Sequence, residues 1–296
     1  MIISNLIGGL GNQMFQYAMG RALSQRLGSE MRVATDMFDG YSLHNGYELE
    51  RVFGIEIAQA NPSELTSLVG WRAGRKVRHL LGRPLFKGLW NRHALVERFF
   101  HFDPSMPENA SLPIYLHGYW QSEKYFSDYK DLIRSDFDFV VPWGREDLAV
   151  LKMMREAPSA SVHVRRGDYL SKKNSGYFSR IEPEYYKKAM EVIRRQVPAV
   201  RFFIFSDDPQ WAAQNIMGNG ADLFHVFHNR GLNACNDMRL IASADHHVIA
   251  NSTFSWWGAW LNPSPEKMVV APSCWFGDKG PSDRDLIPDG WYRLPS

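Results

Sequence analysis

The chain has 296 residues, of which 45% are hydrophobic and 22% charged, and its net charge is +2. These values predict a folded protein with one large or two medium domains, and they exclude a polyelectrolyte that binds through overall charge. The two cysteines, Cys235 and Cys274, are far apart, which excludes a disulfide framework and a cysteine-based zinc site. Because we find neither a signal-peptide pattern nor an apolar run of about 18 residues, we expect a cytoplasmic protein.

The N-terminal segment has the pattern of a strand, a glycine loop and a helix. The apolar residues 1–7 are followed by the glycine loop, Gly8-Gly9-Leu10-Gly11-Asn12-Gln13, and helical spacing covers residues 14–27. Free amides at such a helix start favour an anion or a polar ligand. The glycine spacing matches neither a P-loop nor G-x-G-x-x-G, so a tight turn without a ligand is an equally good interpretation.

A second short strand is predicted over residues 32–35, and a polar, aromatic loop follows over residues 36–50. A loop of this composition can line a cleft, although a solvated loop has the same pattern. Within it, His44 and Glu48 are candidates for a general base.

Residues 65–96 contain no aspartate or glutamate. They carry these basic residues between tryptophans and leucines: Arg72, Arg75, Lys76, Arg78, Arg83, Lys87 and Arg92. A basic amphipathic segment can bind an anionic membrane surface, but a solvated helical face with an apolar underside is more common. No nucleic-acid motif accompanies the charge, so we expect no nucleic-acid partner.

Asp136 and Asp138 form an Asp-x-Asp pair, a spacing that some sugar-nucleotide enzymes use for a divalent metal. No third ligand is near in sequence, and we interpret the pair as structural. The prolines and charges of residues 142–160 indicate a domain boundary, with domains over residues 1–155 and 156–296.

The second half alternates strands with helices. Strands are predicted over residues 161–164, 201–205, 223–227, 246–250 and 268–271, and helices over 183–196, 237–244 and from 253 onward. This alternation is typical of a parallel, doubly wound α/β sheet.

Three of these strands end in polar clusters, which are Arg165/Arg166/Asp168, Asp207/Asp208 and Ser252/Thr253. The carboxyl ends of parallel strands share one edge of the sheet, and nucleotides bind there. Arginine and a helix N-terminus suit a diphosphate, while carboxylates can accept hydrogen bonds from ribose hydroxyls or guanine N–H groups. For Arg-Arg-x-Asp in isolation, a surface ion pair is an equally good interpretation.

Five segments together resemble the motifs of bacterial α-1,2-fucosyltransferases of glycosyltransferase family 11. They are the sequences GGLGNQMFQY (residues 8–17), GYWQSEKYF (118–126), HVRRGDY (163–169), FSDD (205–208) and NSTFSWW (251–257). One such motif would be weak evidence, but the set occurs in order along nearly the whole chain.

The resemblance implies a GT-B-like α/β fold, with two Rossmann-like domains and a nucleotide-sugar cleft between them. Residues 1–155 would form the acceptor-side domain and residues 156–296 the GDP-fucose-binding domain. The implied reaction is inverting transfer of L-fucose from GDP-β-L-fucose to O2 of a terminal β-galactose on an O-antigen-like surface glycan. It would need no cofactor and no divalent metal.

The resemblance also implies roles for individual residues. Arg165 would hold the diphosphate, and His163 with an aspartate of the Asp207-Asp208 pair would contact the guanosine. Asn12 would face the phosphates and the fucose. The segment that would enclose the nucleotide consists of Ser252, Thr253 and Phe254. We expect Asp168 to organise the arginines, and the general base stays open between His44, Glu48 and Asp168.

Three alternatives remain at this point. The first is a fucosyltransferase that forms another linkage. The second is a non-catalytic carbohydrate-binding protein that uses its ten tryptophans and is indifferent to GDP and to Arg165. The third treats residues 71–98 as an interaction surface, and the same segment could also give the enzyme a peripheral contact with the inner membrane.

Overall fold

The structure is a computed structural model that describes residues 1–40, 44–167, 176–217 and 222–296. Its contacts divide the chain into a first unit, Met1–Val140 with Arg284–Leu286, and a second unit, Val141–Asp283 with Ile287–Ser296. The division falls earlier than the expected boundary after residue 155. Residues 145–155 form a helix that packs within the second unit, because its apolar face is covered there.

The first unit contains a parallel four-stranded sheet in the order β2-β1-β4-β3. Its strands are β1 (Ile2–Asn5), β2 (Met31–Ala34), β3 (Ala94–Val96) and β4 (Ile114–His117). Its helices are α1 (Leu10–Leu27), α2 (Leu49–Phe53), α3 (Pro62–Val69), α4 (Arg75–Leu81), α5 (Ser105–Glu108) and α6 (Lys130–Asp136). Strand β3 was not predicted from the sequence, because three residues are too few to show a periodicity.

Helix α1 begins at Leu10, which places part of the glycine loop in the first helical turn and corrects the predicted start at residue 14. The backbone amides of Asn12 and Gln13 both donate to the carbonyl oxygen of Gly9. Gly8 has φ +82°, a conformation that favours glycine, and a Cβ there would lie 2.6 Å from Nδ2 of Asn12. The glycines therefore serve the turn from β1 into α1.

The basic segment does not form one amphipathic helix. It is divided into the 3₁₀ turns Gly70–Ala73 and Pro84–Leu89, helix α4 and strand β3. Arg78 is fully buried and pairs with Asp36, so it belongs to the core of the unit rather than to a basic surface. Arg72 donates to the carbonyl oxygen of Leu89. Part of the positive charge seen in the sequence is therefore used inside the unit.

The second unit contains a parallel six-stranded sheet in the order β10-β9-β8-β5-β6-β7. Its strands are β5 (Ser159–Val164), β6 (Arg201–Ser206), β7 (Leu223–Val226), β8 (His246–Val248), β9 (Val269–Pro272) and β10 (Tyr292–Leu294). Its helices are α7 (Arg145–Arg155), α8 (Pro183–Gln196), α9 (Pro209–Asn215), α10 (Ala234–Ser243) and α11 (Thr253–Leu261). Strand β10 follows the last of the predicted strands, at residues 268–271, and was not predicted from the sequence.

Helices cover both faces of this sheet, as predicted for a doubly wound arrangement. On one face, Val162 and Phe202 pack with Tyr186 of α8 in a buried cluster. On the other face, Phe203 packs with residues of α7 and α10. Burial on both sides explains why β5 is buried along its whole length. Among the helices within the described ranges, none is long and apolar enough to cross a membrane.

Candidate functional site

The polar clusters that follow β8, β5 and β6 lie at one edge of the second sheet. These three strands are neighbours and parallel, with Val164 paired to Ser206 and Val162 paired to Val248. The predicted convergence of Arg165, Asp207 and Ser252 at the carboxyl edge follows from this register. It is the edge at which open α/β sheets bind ligands.

Asp207 organises the loop that carries the two arginines. Its Oδ1 accepts the backbone amide of Arg166 at 2.9 Å, and its Oδ2 accepts that of Gly167 at 3.0 Å. The same Oδ2 lies 3.1 Å from Nη1 of Arg165. A Cβ on Gly167 would lie 2.6 Å from this carboxylate. The absence of a side chain at Gly167 therefore lets the Asp207 carboxylate approach the backbone of the loop. The partly exposed guanidinium of Arg165 is thereby held in position at the end of β5, which lies in the middle of the sheet.

Asp208 and Arg166 form a separate arrangement at the start of α9. Oδ1 of Asp208 accepts the backbone amide of Trp211 and caps the helix, and its Oδ2 lies 3.4 Å from Nε of Arg166. The Arg166 guanidinium also lies 3.8 Å from the centre of the Trp211 ring. These contacts assign different structural tasks to the two adjacent aspartates. The guanosine contact expected of one of them stays a prediction, and Asp168 lies outside the described residues.

His163 is buried at the end of β5, with its ring centre 5.6 Å from that of Phe254. Burial, together with the positive charge of Arg165, lowers the pKa of His163 to about 3, so the imidazole is neutral. Its Nδ1 has no hydrogen-bond partner among the described residues. The imidazole therefore adds no charge at this end of the sheet, and its Nδ1 is enclosed without a partner in the described part of the chain.

The third cluster forms the N-terminus of α11. The Ser252 side chain accepts the backbone amide of Phe254 at 3.4 Å, and Thr253 is the first residue of the helix. Asn251 ties this turn to the rest of the unit, because its Nδ2 donates to the carbonyl oxygens of Ser179 and Trp275. The expected nucleotide-enclosing segment is therefore a capped helix start at the same sheet edge.

A buried polar network beside this edge was missed by the sequence analysis. The Asp147 carboxylate accepts hydrogen bonds from His228, Asn229 and Asn236 at 2.7–2.9 Å. Asn229 also donates to Asp237, whose pKa burial raises to about 7, although this hydrogen bond and His228 act against the rise. The members of this network lie up to 90 residues apart in the sequence, so no short sequence motif indicates them.

In the first unit, the glycine loop is tied to the 44–48 segment. Gln13 donates to the carbonyl oxygens of Gly8 and Gly46, and its Oε1 accepts the backbone amide of Glu48 at 2.9 Å. A Cβ on Gly9 would lie 3.4 Å from the His44 ring. His44 therefore lies against the glycine loop that carries Asn12, and its proposed part as a general base stays a prediction.

Glu48 is buried at the start of α2, and Arg51 and Asn45 donate to its carboxylate. This pairing gives Glu48 a structural task, and its proposed part as a general base stays a prediction. Asp136 accepts hydrogen bonds from Tyr17 and Arg21, both at 2.9 Å, which gives this carboxylate a structural task.

Comparisons with known proteins decide the family. The model of "Glycosyl transferase family 11" matches residues 92–293. The chain belongs to glycosyl transferase family 11. An Escherichia coli protein named alpha-1,2-colitosyltransferase is 30% identical over 303 residues, which cover 99% of each chain. The E. coli O-antigen biosynthesis glycosyltransferase WbnK is also 30% identical, over 98% of this chain and 99% of its own.

Solved structures agree on the fold of this family 11 glycosyltransferase. Fucosyltransferase NodZ from Bradyrhizobium has a TM-score of 0.50 at 16% identity, over 88% of this chain and 93% of its own. Arabidopsis thaliana FUT1, in a complex with GDP, has a TM-score of 0.50 at 10% identity, over 97% of this chain and 74% of its own. The expected GT-B-like α/β fold is thereby confirmed. The nucleotide-sugar cleft expected between the two units stays a prediction.

Proposed function

We propose that this glycosyltransferase is an inverting α-1,2-fucosyltransferase that uses GDP-β-L-fucose. The acceptor position is O2 of a terminal β-galactose on a surface glycan of the O-antigen type. The relatives named alpha-1,2-colitosyltransferase and O-antigen biosynthesis glycosyltransferase support the linkage and the acceptor class. The observation that carries the proposal is the Arg165 guanidinium, held by Asp207 at the carboxyl end of the central strand.

The proposed mechanism depends on charge at the leaving group. The bond between C1 of fucose and the phosphate oxygen breaks, and negative charge develops on the departing GDP. A fixed guanidinium stabilises that charge without reorganising during the reaction. Arg165 would supply this stabilisation, and we propose that no divalent metal is needed. The galactose O2 attacks C1 from the opposite face and loses its proton to a base, for which His44 and Asp168 remain candidates beside Glu48.

The donor would be bound by the residues already placed at the sheet edge. Neutral His163 and one aspartate of the 207–208 pair would contact the guanosine. The capped helix start at Ser252, Thr253 and Phe254 would lie along the nucleotide, with its free amides favouring the diphosphate. From the first unit, Asn12 would present its side-chain amide to the phosphates and the fucose.

A second candidate donor is GDP-colitose, because a colitosyltransferase is 30% identical over almost the whole chain. Colitose is L-fucose without the 3-hydroxyl group. A site that hydrogen-bonds this hydroxyl would reject GDP-colitose strongly, whereas a site that leaves it unbound would accept both sugars.

A non-catalytic carbohydrate-binding protein is less well supported. Sugars stack on exposed aromatic faces, but the four most buried tryptophans have less than 2% of their surface exposed. They are Trp120, Trp256, Trp257 and Trp275. The abundance of tryptophan noted in the sequence therefore serves the core to a large extent.

The experiment is transfer from GDP-fucose or GDP-colitose to galactosyl-β-1,3-N-acetylhexosamine in the presence of EDTA. We expect an α-1,2-fucosylated product, and kcat/KM about 10²–10³ lower for Arg165→Ala. Arg195→Ala, a change at an exposed arginine of α8, serves as the control and should be unaffected. Product from GDP-colitose alone would favour the second donor, and loss of product in EDTA would contradict the metal-free mechanism.

We also propose that residues 71–98 dock the enzyme on an anionic lipid surface. Trp71, Leu85 and Leu89 have 63%, 85% and 51% of their surface exposed, an unusual set for one short segment. The exposed basic residues of the segment are Arg75, Lys76, Arg83, Arg92 and Arg98. Apolar side chains that enter the interface, with lysine and arginine beside them, are typical of peripheral binding to anionic lipids.

A further inference from the structure

The turn that follows β4 is held by a buried carboxylate. Glu97 comes directly after β3 and has 7% of its surface exposed. Its Oε2 accepts the backbone amide of Tyr119, and its Oε1 accepts that of Trp120, both at 2.9 Å. One carboxylate thus satisfies two consecutive amides of residues 118–121.

The turn adopts a conformation that needs such support. Trp120 has φ +57° and is the single residue other than glycine with a positive φ in the described part of the chain. For a bulky residue this conformation is strained, and it persists only where the surroundings enforce it. Gly118 lies so close to Glu97 that an added Cβ would be 2.5 Å from the Cβ of Glu97.

The 118–121 turn positions the residue that follows Trp120. Gln121 is buried, and its Nε2 donates to Oδ1 of Asn12 at 2.9 Å. Because Oδ1 of Asn12 accepts from Gln121, the orientation of the Asn12 amide is set, and its Nδ2 donor lies on the other side, against Gly8 of the glycine loop. The hydrogen bonds therefore run from Glu97 through the turn and Gln121 to Asn12.

We infer that Glu97 is a positioning residue for sugar transfer, which holds the 118–121 turn so that Gln121 orients the Nδ2 donor of Asn12 toward the sugar nucleotide. This inference rests on the proposed function, which places Asn12 against the donor. Glu97 itself touches no substrate and acts through Asn12.

The cost of burying Glu97 supports a positioning task. Burial raises its pKa to about 7, against the two amide hydrogen bonds and the charge of Lys87. The Lys87 ammonium donates to the backbone carbonyl of Glu97. A desolvated carboxylate with this environment contributes little to stability, and its neutral isostere glutamine would remove the desolvation cost. Glu97→Gln should therefore fold while it loses the second amide acceptor.

The test measures kcat and KM for the donor in Glu97→Gln, Gln121→Met and the double variant. We expect each single change to lower kcat about 10- to 100-fold with KM nearly unchanged, because a misplaced group loses transition-state contacts. The double variant should lose no more than the worse single one. Glu108→Gln, at an exposed glutamate of the same unit, should match the wild type. Additive losses, or normal kcat in Glu97→Gln, would overturn the inference.

A measurement without substrate separates this inference from the proposed function. The NMR signals of the Asn12 side-chain amide should shift in Glu97→Gln, and in Gly118→Ala, which displaces the carboxylate and replaces Glu97→Gln if that variant does not fold. An unchanged Asn12 signal would overturn the link. If the wild type transferred neither sugar, the proposed function would fail, while the NMR result would still decide the structural chain from Glu97 to Asn12.

Discussion

At the scale of single residues, two adjacent aspartates show how identical side chains acquire different tasks. Asp207 accepts two backbone amides and pairs with Arg165, whereas Asp208 caps α9 and lies near Arg166. Of these contacts, only those of Asp207 involve Arg165, whose guanidinium is proposed to hold the diphosphate. The arrangement therefore separates Asp207 from Asp208, which the sequence alone left as a pair.

Asp207→Asn and Asp208→Asn form a matched test of this difference. We expect Asp207→Asn to lower kcat/KM by about 10- to 100-fold, because the neutral amide loses its charge interaction with Arg165 and one acceptor for the loop amides. Asp208→Asn should lose less than about tenfold, since asparagine caps a helix as well as aspartate does. Steady-state kinetics and calorimetric GDP titration would measure both. Equal losses would contradict the assignment.

At the scale of elements, the network of Asp147, His228, Asn229 and Asp237 joins α7 to α10 beside β7. The two helices pack on the same face of the sheet, and their N-terminal turns meet through these side chains, of which Asp147 and Asn229 are buried and the other two half-buried. One carboxyl of the network, that of Asp237, has a raised pKa, so its protonation is linked to folding.

The stability of the protein should depend on pH through Asp237. Its pKa rises from 3.8 to about 7 on folding, so the native state binds the proton more tightly than the unfolded state. The resulting stabilisation of the folded state is fully present below pH 3.8 and is lost as the pH rises to about 7. At ~1.4 kcal/mol per pKa unit, the loss amounts to a few kcal/mol. Asp237→Asn, which is neutral at every pH, should remove that part of the slope.

Urea unfolding from pH 4 to pH 7.5 would measure this dependence as the difference between wild type and variant. Glu266→Gln, at an exposed glutamate of the same unit, provides the control and should keep the wild-type slope. An Asp237→Asn variant with the same slope as wild type would show that Asp237 is ionised throughout this range.

At the scale of the whole molecule, the exposed apolar and basic side chains of residues 71–98 predict binding to anionic vesicles. Wild-type protein should sediment with vesicles that contain phosphatidylglycerol and much less with phosphatidylcholine alone. Binding should weaken as salt rises, because exposed charges are screened within about 10 Å at 0.1 M.

A variant with Trp71→Ser, Leu85→Ser and Lys76→Ala should sediment several-fold less, while transfer to a soluble acceptor should be unchanged. Lys187→Ala removes one exposed positive charge from α8, as Lys76→Ala does from the segment, and controls for net charge. Equal sedimentation of the wild type and the triple variant would exclude this surface as the site of contact.

The sequence by itself determined the class of fold and the edge at which the polar residues meet. Helix α8 was predicted with its observed bounds, because Pro183 stands at its start and its apolar residues recur at helical spacing. Alternating strands and helices require a parallel sheet, and a parallel sheet brings Arg165, Asp207 and Ser252 to one edge. These conclusions depend on local periodicity and chain direction, which the sequence contains.

Only the tertiary structure decided which polar group binds which. Glu97 accepts amides more than 20 residues away, and Asp147 meets donors more than 80 residues away. No periodicity links such positions, because packing of whole elements brings them together. The same reason explains why Arg78 was predicted as part of a basic surface although it is buried beside Asp36. The residue types of the site could be read from the sequence, whereas the contacts that orient them required the folded chain.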